Sequence, residues 1–473
     1  MVKPEVKRTV SEPHSWKRRW ARERLDDPAL VDGLSEDYKV FLDRCRTERE
    51  CATYIAQALH DSGFIDLAEK DPPPPAPGQG FYLVNRGSEI AFGRVGRSPL
   101  TSGTNLVAFH MDSPRLDLKP IPLDGDVDTG LGLVRTHYYG GIKKYHWVNI
   151  PLTLRGTIER EDGRTIDVGP DGWTLIIPDL EPHLSHKVQD HRKLPEGITG
   201  EELVALGALG RGDEDCERQP VVLDMLRALN DRYGTTEEDL ICSDLCLVPQ
   251  YPPRDVGLER GMIGAYGQDD RVSAYSAMRA MLGSSDPERW ALSIGFDKEE
   301  IGSEGATGAR SFFLESFYYK LIEWTGSRGM RRDLNSVLSR TFCISSDVKA
   351  AVDPVFKGVH DIQNAARSGS GITITKYTGS GGKSDANDAS AEMVFKLRSH
   401  LNSLKIAWQM QETGKVDEGG GGTVARFLSS RNMDVIDVGI PVFSMHSKFE
   451  VISKADLYMA FKAFSGFFTA FRP

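Results

Sequence analysis

At 473 residues with a formal net charge of −10, the chain is long enough for two or three well-buried domains and carries the wrong sign for generic binding to nucleic acid or to an anionic membrane surface. Its six cysteines (Cys45, Cys51, Cys216, Cys242, Cys246, Cys343) lack the tight spacing of a metal finger and are expected to be reduced structural thiols, with Cys242 and Cys246 placed to share one helix turn. No apolar run reaches the roughly 20 residues needed to cross a bilayer.

From the N-terminus, a basic arm (Lys7, Arg8, Lys17, Arg18, Arg19, Arg22) carries Trp16 and Trp20 but no apolar core, so a secretory signal is not expected and a cytosolic location is. Pro72 to Pro75 predict a stiff polyproline loop ahead of the first strand. The apolar run 105–109 ends in His110, with Asp112 one residue removed: an imidazole that can bind a metal and a carboxylate that can orient a ligand or a base. Between 116 and 254 no candidate ligand occurs. Alternating runs at 152–158 and 174–177, separated by Gly and Asp turns, predict an inserted β-rich domain there, between catalytic-domain segments 1–115 and 255–473.

After the insertion, Gly267, Asp269 and Asp270 precede an apolar-periodic helix at 272–282, so either aspartate would sit near that helix's N-terminus. The run 291–296 then stops at Asp297, Glu299 and Glu300. Adjacent strand residues face opposite ways, so the two glutamates can serve one site only if the chain turns out of the sheet directly after Phe296, and Gly302 and Gly305 supply that turn. One Glu can then bind a metal while its neighbour handles the proton of an attacking water. A helix is expected at 304–321, and the strand at 341–345 runs through Ser346 into Asp347. Four glycines at 419–422 precede a helix at 424–430 and can turn backbone N–H groups toward an anionic substrate group; the Lys-Ser/Thr of a phosphate loop is missing. The last apolar run, 435–443, ends at Ser444, Met445 and His446. Alternating strands and helices in the outer segments predict an α/β fold, a mixed, mostly parallel central sheet flanked by helices.

With Glu299 reserved as a base, two histidines (His110, His446) and three carboxylates (Asp269, Glu300, Asp347) remain. That inventory suits two divalent ions bridged by one carboxylate, and imidazole with carboxylate favours Zn, Co or Mn over Ca or Mg.

In this order, His110 with Asp112, Gly267 with Asp269 and Asp270, Asp297 to Ser303, Ser346 with Asp347, and Ser444 to Ser447 resemble the motifs of the aspartyl aminopeptidase and vacuolar aminopeptidase I family of metallopeptidases, over nearly the whole chain from Glu36 to Phe471. The stretches 136–147 and 381–389 look closer to bacterial members than to animal ones, and Asp270 stands where animal members carry Asn. The resemblance implies that His110, Glu300, Asp347 and His446 each bind a metal, that Asp269 bridges two ions, zinc foremost, that Glu299 is the general base and that Asp112 is the carboxylate behind the ligands. It implies removal of the N-terminal residue of peptides, and assembly into a homo-oligomer, a dodecamer in relatives, with dimer contacts in the inserted domain. His183 resembles a loop histidine that reaches a neighbouring subunit's site, and Lys376 matches a substrate-contacting lysine. The family name implies an acidic first residue; a vacuolar branch with neutral preference, and the charges of Asp270 and Asp385, leave that preference only slightly ahead of a neutral or broad one. A non-catalytic oligomeric metal-binding scaffold is the reading of a different class, but a structural site is closed and needs no spare Glu beside a ligand. An amidohydrolase or carboxypeptidase would use the same ligands with a different pocket.

Overall fold

The computed structural model describes residues 21–170, 172–210 and 220–473; the basic arm as far as Arg19, with Trp16, and also Trp20 and Cys216 lie outside the described residues. At its centre stand four neighbouring parallel strands, Trp290–Phe296, Thr104–His110, Phe342–Ser346 and Asp434–Gly439. Antiparallel partners, Glu89–Arg94 and Ile372–Thr375, flank them within a nine-stranded mixed sheet. The central strands are apolar on both faces because both faces are covered. Val107 and Phe109 join the core that includes helices Gln268–Gly283 and Lys454–Ala470, while Leu106 and Ala108 join the core that includes Phe313–Trp324 and Met330–Leu338.

Five residues beyond His110 the chain enters a second sheet. Its six strands, in the spatial order Thr165–Val168, Leu152–Glu159, Ser243–Pro249, Arg115–Asp126, Leu131–Tyr139 and Val204–Leu209, are all antiparallel and have their own core around Trp147, Leu116 and Leu247. The chain returns through a five-stranded sheet in which Met262–Ala265 pairs with Glu450–Ser453, which pairs with Pro441–Phe443, which pairs with Lys349–Ala350. This small sheet positions the site, since its strands run into or out of the turns holding Asp269, His446 and Asp347.

Several local expectations need correction. The helix expected at 304–321 begins only at Phe313, because Ser303 (φ 60°) and Gly305 (φ 97°) are left-handed and the turn after them folds back so that Asp297 N donates to Thr307 O at 3.1 Å. Cys242 and Cys246 do not share a helix turn: Cys242 ends the helix Glu237–Ile241 and is exposed, whereas Cys246 is buried in the strand Ser243–Pro249 by pairing with Leu152–Glu159. The polyproline segment follows a two-residue strand, Ile65–Asp66, and Trp324 Nε1 ties it down by donating to Pro73 O at 2.7 Å. The helix Gln268–Gly283 starts before residue 272, but Asp269 (ψ 107°) and Asp270 (φ −116°, ψ 32°) are not helical. No helix among the described residues is long and apolar enough to cross a membrane.

Candidate active site

Each site residue sits where a strand ends. Lys298 (φ 63°) and Gly302 (φ 97°) bracket a single 3-10 turn, Glu299–Ile301, directly beyond the strand Trp290–Phe296. That turn takes both glutamates out of the sheet, so their side chains need not obey strand alternation. Asp112 holds the turn by its backbone: Oδ1 accepts from Glu299 N and Oδ2 from Glu300 N, both at 3.1 Å, and Tyr139 Oη donates to Oδ2 at 2.8 Å.

Both histidines are oriented by carbonyls. His110 Nδ1 donates to Asp112 O at 3.0 Å and His446 Nδ1 to Gly141 O at 2.8 Å, which leaves each Nε2 directed at Asp269: His110 Nε2 is 3.1 Å from Oδ1 and His446 Nε2 is 3.2 Å from Oδ2. His446 Nε2 also lies 3.2 Å from Glu300 Oε2. Ligand atoms within 4.8 Å of one another form the groups His110–Asp269–Asp347, Asp269–Glu300–His446 and His110–Glu299–Glu300. The first two share only Asp269. The five expected ligands and Glu299 are therefore brought together, with Asp112 behind them. His183 joins none of these groups. His183 is exposed on the short helix Pro182–Ser185, and Lys376 is 3.3 Å from Asp388 Oδ1, whose other oxygen is 2.9 Å from Lys383.

Glu450 carries no signal in the sequence and was missed. It is fully buried in the strand Glu450–Ser453, where Oε2 accepts from Asp269 N at 3.0 Å and Oε1 from His446 N at 2.7 Å. It does for Asp269 and His446 what Asp112 does for Glu299 and Glu300, and it holds His446 at φ 64°, uncommon for a non-glycine residue. Among the described residues none between 116 and 254 joins the three groups, yet Tyr139 and Gly141, which hold Asp112 and His446, come from that stretch.

The charges do not balance within the protein. Burial raises the Glu300 carboxyl well above the usual range, and Asp269 adds to it; burial raises Asp347 against the opposing charge of Lys349. Glu299 is pushed up to about 8, mainly by burial, against the pull of His110. Despite its burial, Asp269 is held below the usual range by His110 and His446, and His446 is pushed up to about 10 against its own burial by Asp269 and Glu300. Asp270 is fully buried and its carboxyl is raised by that burial, with Oδ1 accepting from Ser273 Oγ. Glu300 Oε1 and Asp269 Oδ1 are buried without a hydrogen bond. Buried acceptors lacking donors, crowded carboxylates and two aligned imidazoles fit divalent cations.

Comparison with known proteins gives the class and then the family. The family description "Aminopeptidase I zinc metalloprotease (M18)" matches residues 41–468, so the chain is a zinc-metalloprotease type of hydrolase acting on peptide bonds. It belongs to the M18 aminopeptidase family. A probable M18 family aminopeptidase 1 of Thermotoga maritima is 43% identical over 439 residues, covering 92% of this chain and 95% of the relative. A crystal structure of an M18 aminopeptidase from Thermotoga maritima superposes with a TM-score of 0.90 at 40% identity, covering 98% of this chain and all of the other (100%). Aminopeptidase I of Clostridium acetobutylicum gives 0.87 at 36% identity, covering 96% and 99%. The yeast mApe1 dodecamer, at 20% identity and a TM-score of 0.73 over 93% and 97%, shares the fold.

Proposed function

We propose that this aminopeptidase works through a two-ion centre, with His110, Asp269 and Asp347 holding one divalent ion and Asp269, Glu300 and His446 the other. The observation that carries this reading is that the two ligand groups have Asp269, and only Asp269, in common. Zinc is the proposed occupant of both sites; the mixed imidazole and carboxylate donors also suit Co or Mn. When bound, the ions polarise the scissile carbonyl and acidify an attacking water. Glu299 takes the water's proton and passes it to the leaving nitrogen. It borders an open cavity, where it can meet both the attacking water and the departing nitrogen. Asp112 and Glu450 keep the four reacting and ligating positions in register through their backbone N–H groups.

The substrate is a peptide with a free N-terminus, and an acidic first residue is slightly favoured over a neutral or broad preference. Lys376 supports this: it shares Asp388 with Lys383, and a substrate carboxylate can replace that exposed partner. By likeness to the mApe1 dodecamer, we propose that the chain assembles into a homo-oligomer; we further propose that the six-stranded region supplies dimer contacts and that His183 enters a neighbour's site. His183 is exposed on the helix Pro182–Ser185, where a neighbouring subunit can reach it.

The test is turnover of aminoacyl chromogenic amides by chelated protein, before and after adding Zn, Co or Mn. Activity should vanish with the metal and return with it, for free-amine substrates only. Metal-independent turnover, or cleavage confined to N-acylated substrates, contradicts the reading.

A further inference from the structure

Glu299 borders a cavity of about 310 Å3 that none of the five proposed ligands lines. Gly302, Ser303, Gly422, Thr423 and Arg426 are among the residues that do. This placement gives the cavity a direction. The free amine and the scissile carbonyl belong with the ligands, whereas Glu299 must also reach the nitrogen that departs. A cavity that meets Glu299 and no ligand therefore lies on the side of the leaving peptide.

Among the described residues, the charged lining is Glu299, Asp385 and Arg426, so Arg426 is its cation. Arg426 stands in the first turn of the helix Ala425–Ser429, with its Cζ 4.6 Å from the centre of the Phe427 ring. Its Nη1 is 2.8 Å from Asp385 Oδ1, and the two side chains are unequally covered, 31% exposed for Arg426 and 81% for Asp385. An exposed partner of this kind contributes little and is easily exchanged, while the planar guanidinium, with its five N–H donors, matches an incoming carboxylate in two-point fashion. The surroundings are built to leave room. Gly420 (φ 133°) pairs with Ser380 in a two-stranded ribbon where an added Cβ would fall 2.3 Å from Gly379 O; at Gly421 and Gly422 a Cβ would meet nothing nearer than 3.9 Å. Thr423 anchors this glycine loop to the sheet, its Oγ1 donating to buried Asp437 at 2.6 Å.

We propose that the cavity is the subsite for the residue following the scissile bond, and that Arg426 recognises a carboxylate there by exchanging it for Asp385. The carboxylate is either the C-terminus of a dipeptide or an acidic side chain at the second position of a longer peptide. The proposal rests on the aminopeptidase reading above and adds a specificity on the leaving side, distinct from the Lys376 preference at the first residue.

The experiment compares kcat/KM for four substrates that share whichever first residue the amide panel finds best: a dipeptide ending in glycine, the same dipeptide amidated, an amidated dipeptide ending in glutamate, and an anilide. Wild type should prefer the two carboxylate-bearing peptides, and the one it prefers more tells which source of carboxylate is read. Arg426→Gln should lower kcat/KM for those two by about tenfold, through KM, and much less for the other pair. Asp385→Asn, which frees Arg426, should lower KM for the carboxylate-bearing peptides only. Equal losses on all four substrates in Arg426→Gln, or no losses, overturn the proposal. Failure of wild type to release the first residue from any of the four substrates overturns the aminopeptidase reading itself, a result separable from loss of the Arg426 effect.

Discussion

The ligand centre and the rim around it solve the same problem, holding charged side chains in place, in opposite ways. At the centre the carboxylates are buried and fixed through backbone N–H groups, with Asp112 accepting from Glu299 and Glu300 and Glu450 accepting from Asp269 and His446. At the rim, Lys376, Lys383 and Arg426 meet exposed aspartates, with Asp388 48% and Asp385 81% exposed. The comparison separates chemistry from specificity. A buried carboxylate clamped by fixed donors keeps one geometry, as a reaction needs, whereas an exposed ion pair contributes about 0–1 kcal/mol and yields readily to a substrate group.

If the centre is the rigid half, substitutions there should have the largest consequences. Asp269→Ala removes the residue common to both ligand groups, so metal analysis should find both sites depleted and activity should fall to the chelated background; two full sites in this variant would break the assignment of the bridge. Glu450→Gln keeps the size of the side chain but turns one acceptor into a donor facing a backbone N–H. Metal affinity should fall by about 10–100-fold, read by competition with a chelator, and unchanged affinity would mean the clamp is dispensable. At the rim the effects shrink. Lys376→Ala should cost acidic first residues about 1–2 kcal/mol in kcat/KM, the low end for a charge-assisted bond because the lysine side chain is 40% exposed, with leucine substrates little changed. Equal losses would make Lys376 structural.

The smallest effect is expected away from both regions. Asp26 is held down at about 2 by Lys462 and Tyr458, which it joins on the C-terminal helix. A folded-state value below the unfolded one means that its stabilisation is present above about pH 4 and lost as pH falls toward 2. Being exposed, the contact should contribute less than about 1 kcal/mol, so Asp26→Asn should shift the melting temperature slightly at pH 7 and progressively less as the pH falls to 2 and below.

What was legible in the sequence follows the same division. His110, Asp347, Glu300 and His446 stand just beyond apolar runs that had to be buried strands, so the edge of the sheet was readable from hydrophobicity alone. Asp269 and Asp270 could not be told apart by position; only the fold directs Asp269 at both imidazoles and turns Asp270 to Ser273. Glu450 was illegible because one partner, Asp269 N, is 181 positions away and the local one, His446 N, is a backbone donor that leaves no mark in the sequence. The helix expected from residue 304 failed on Ser303 and Gly305, whose left-handed backbone serves the turn around Asp297. Arg426 escaped notice because a lone arginine after a glycine run looks like any solvated helix residue until the cavity beside Glu299 is seen.

The proposed chemistry needs Glu299 to move the proton while other residues hold the ions. The most direct measurement is metal content together with kcat in Glu299→Gln. Two ions per subunit with kcat reduced by about 10²–10⁴ or more is the predicted result. Full metal with near-normal kcat would contradict it.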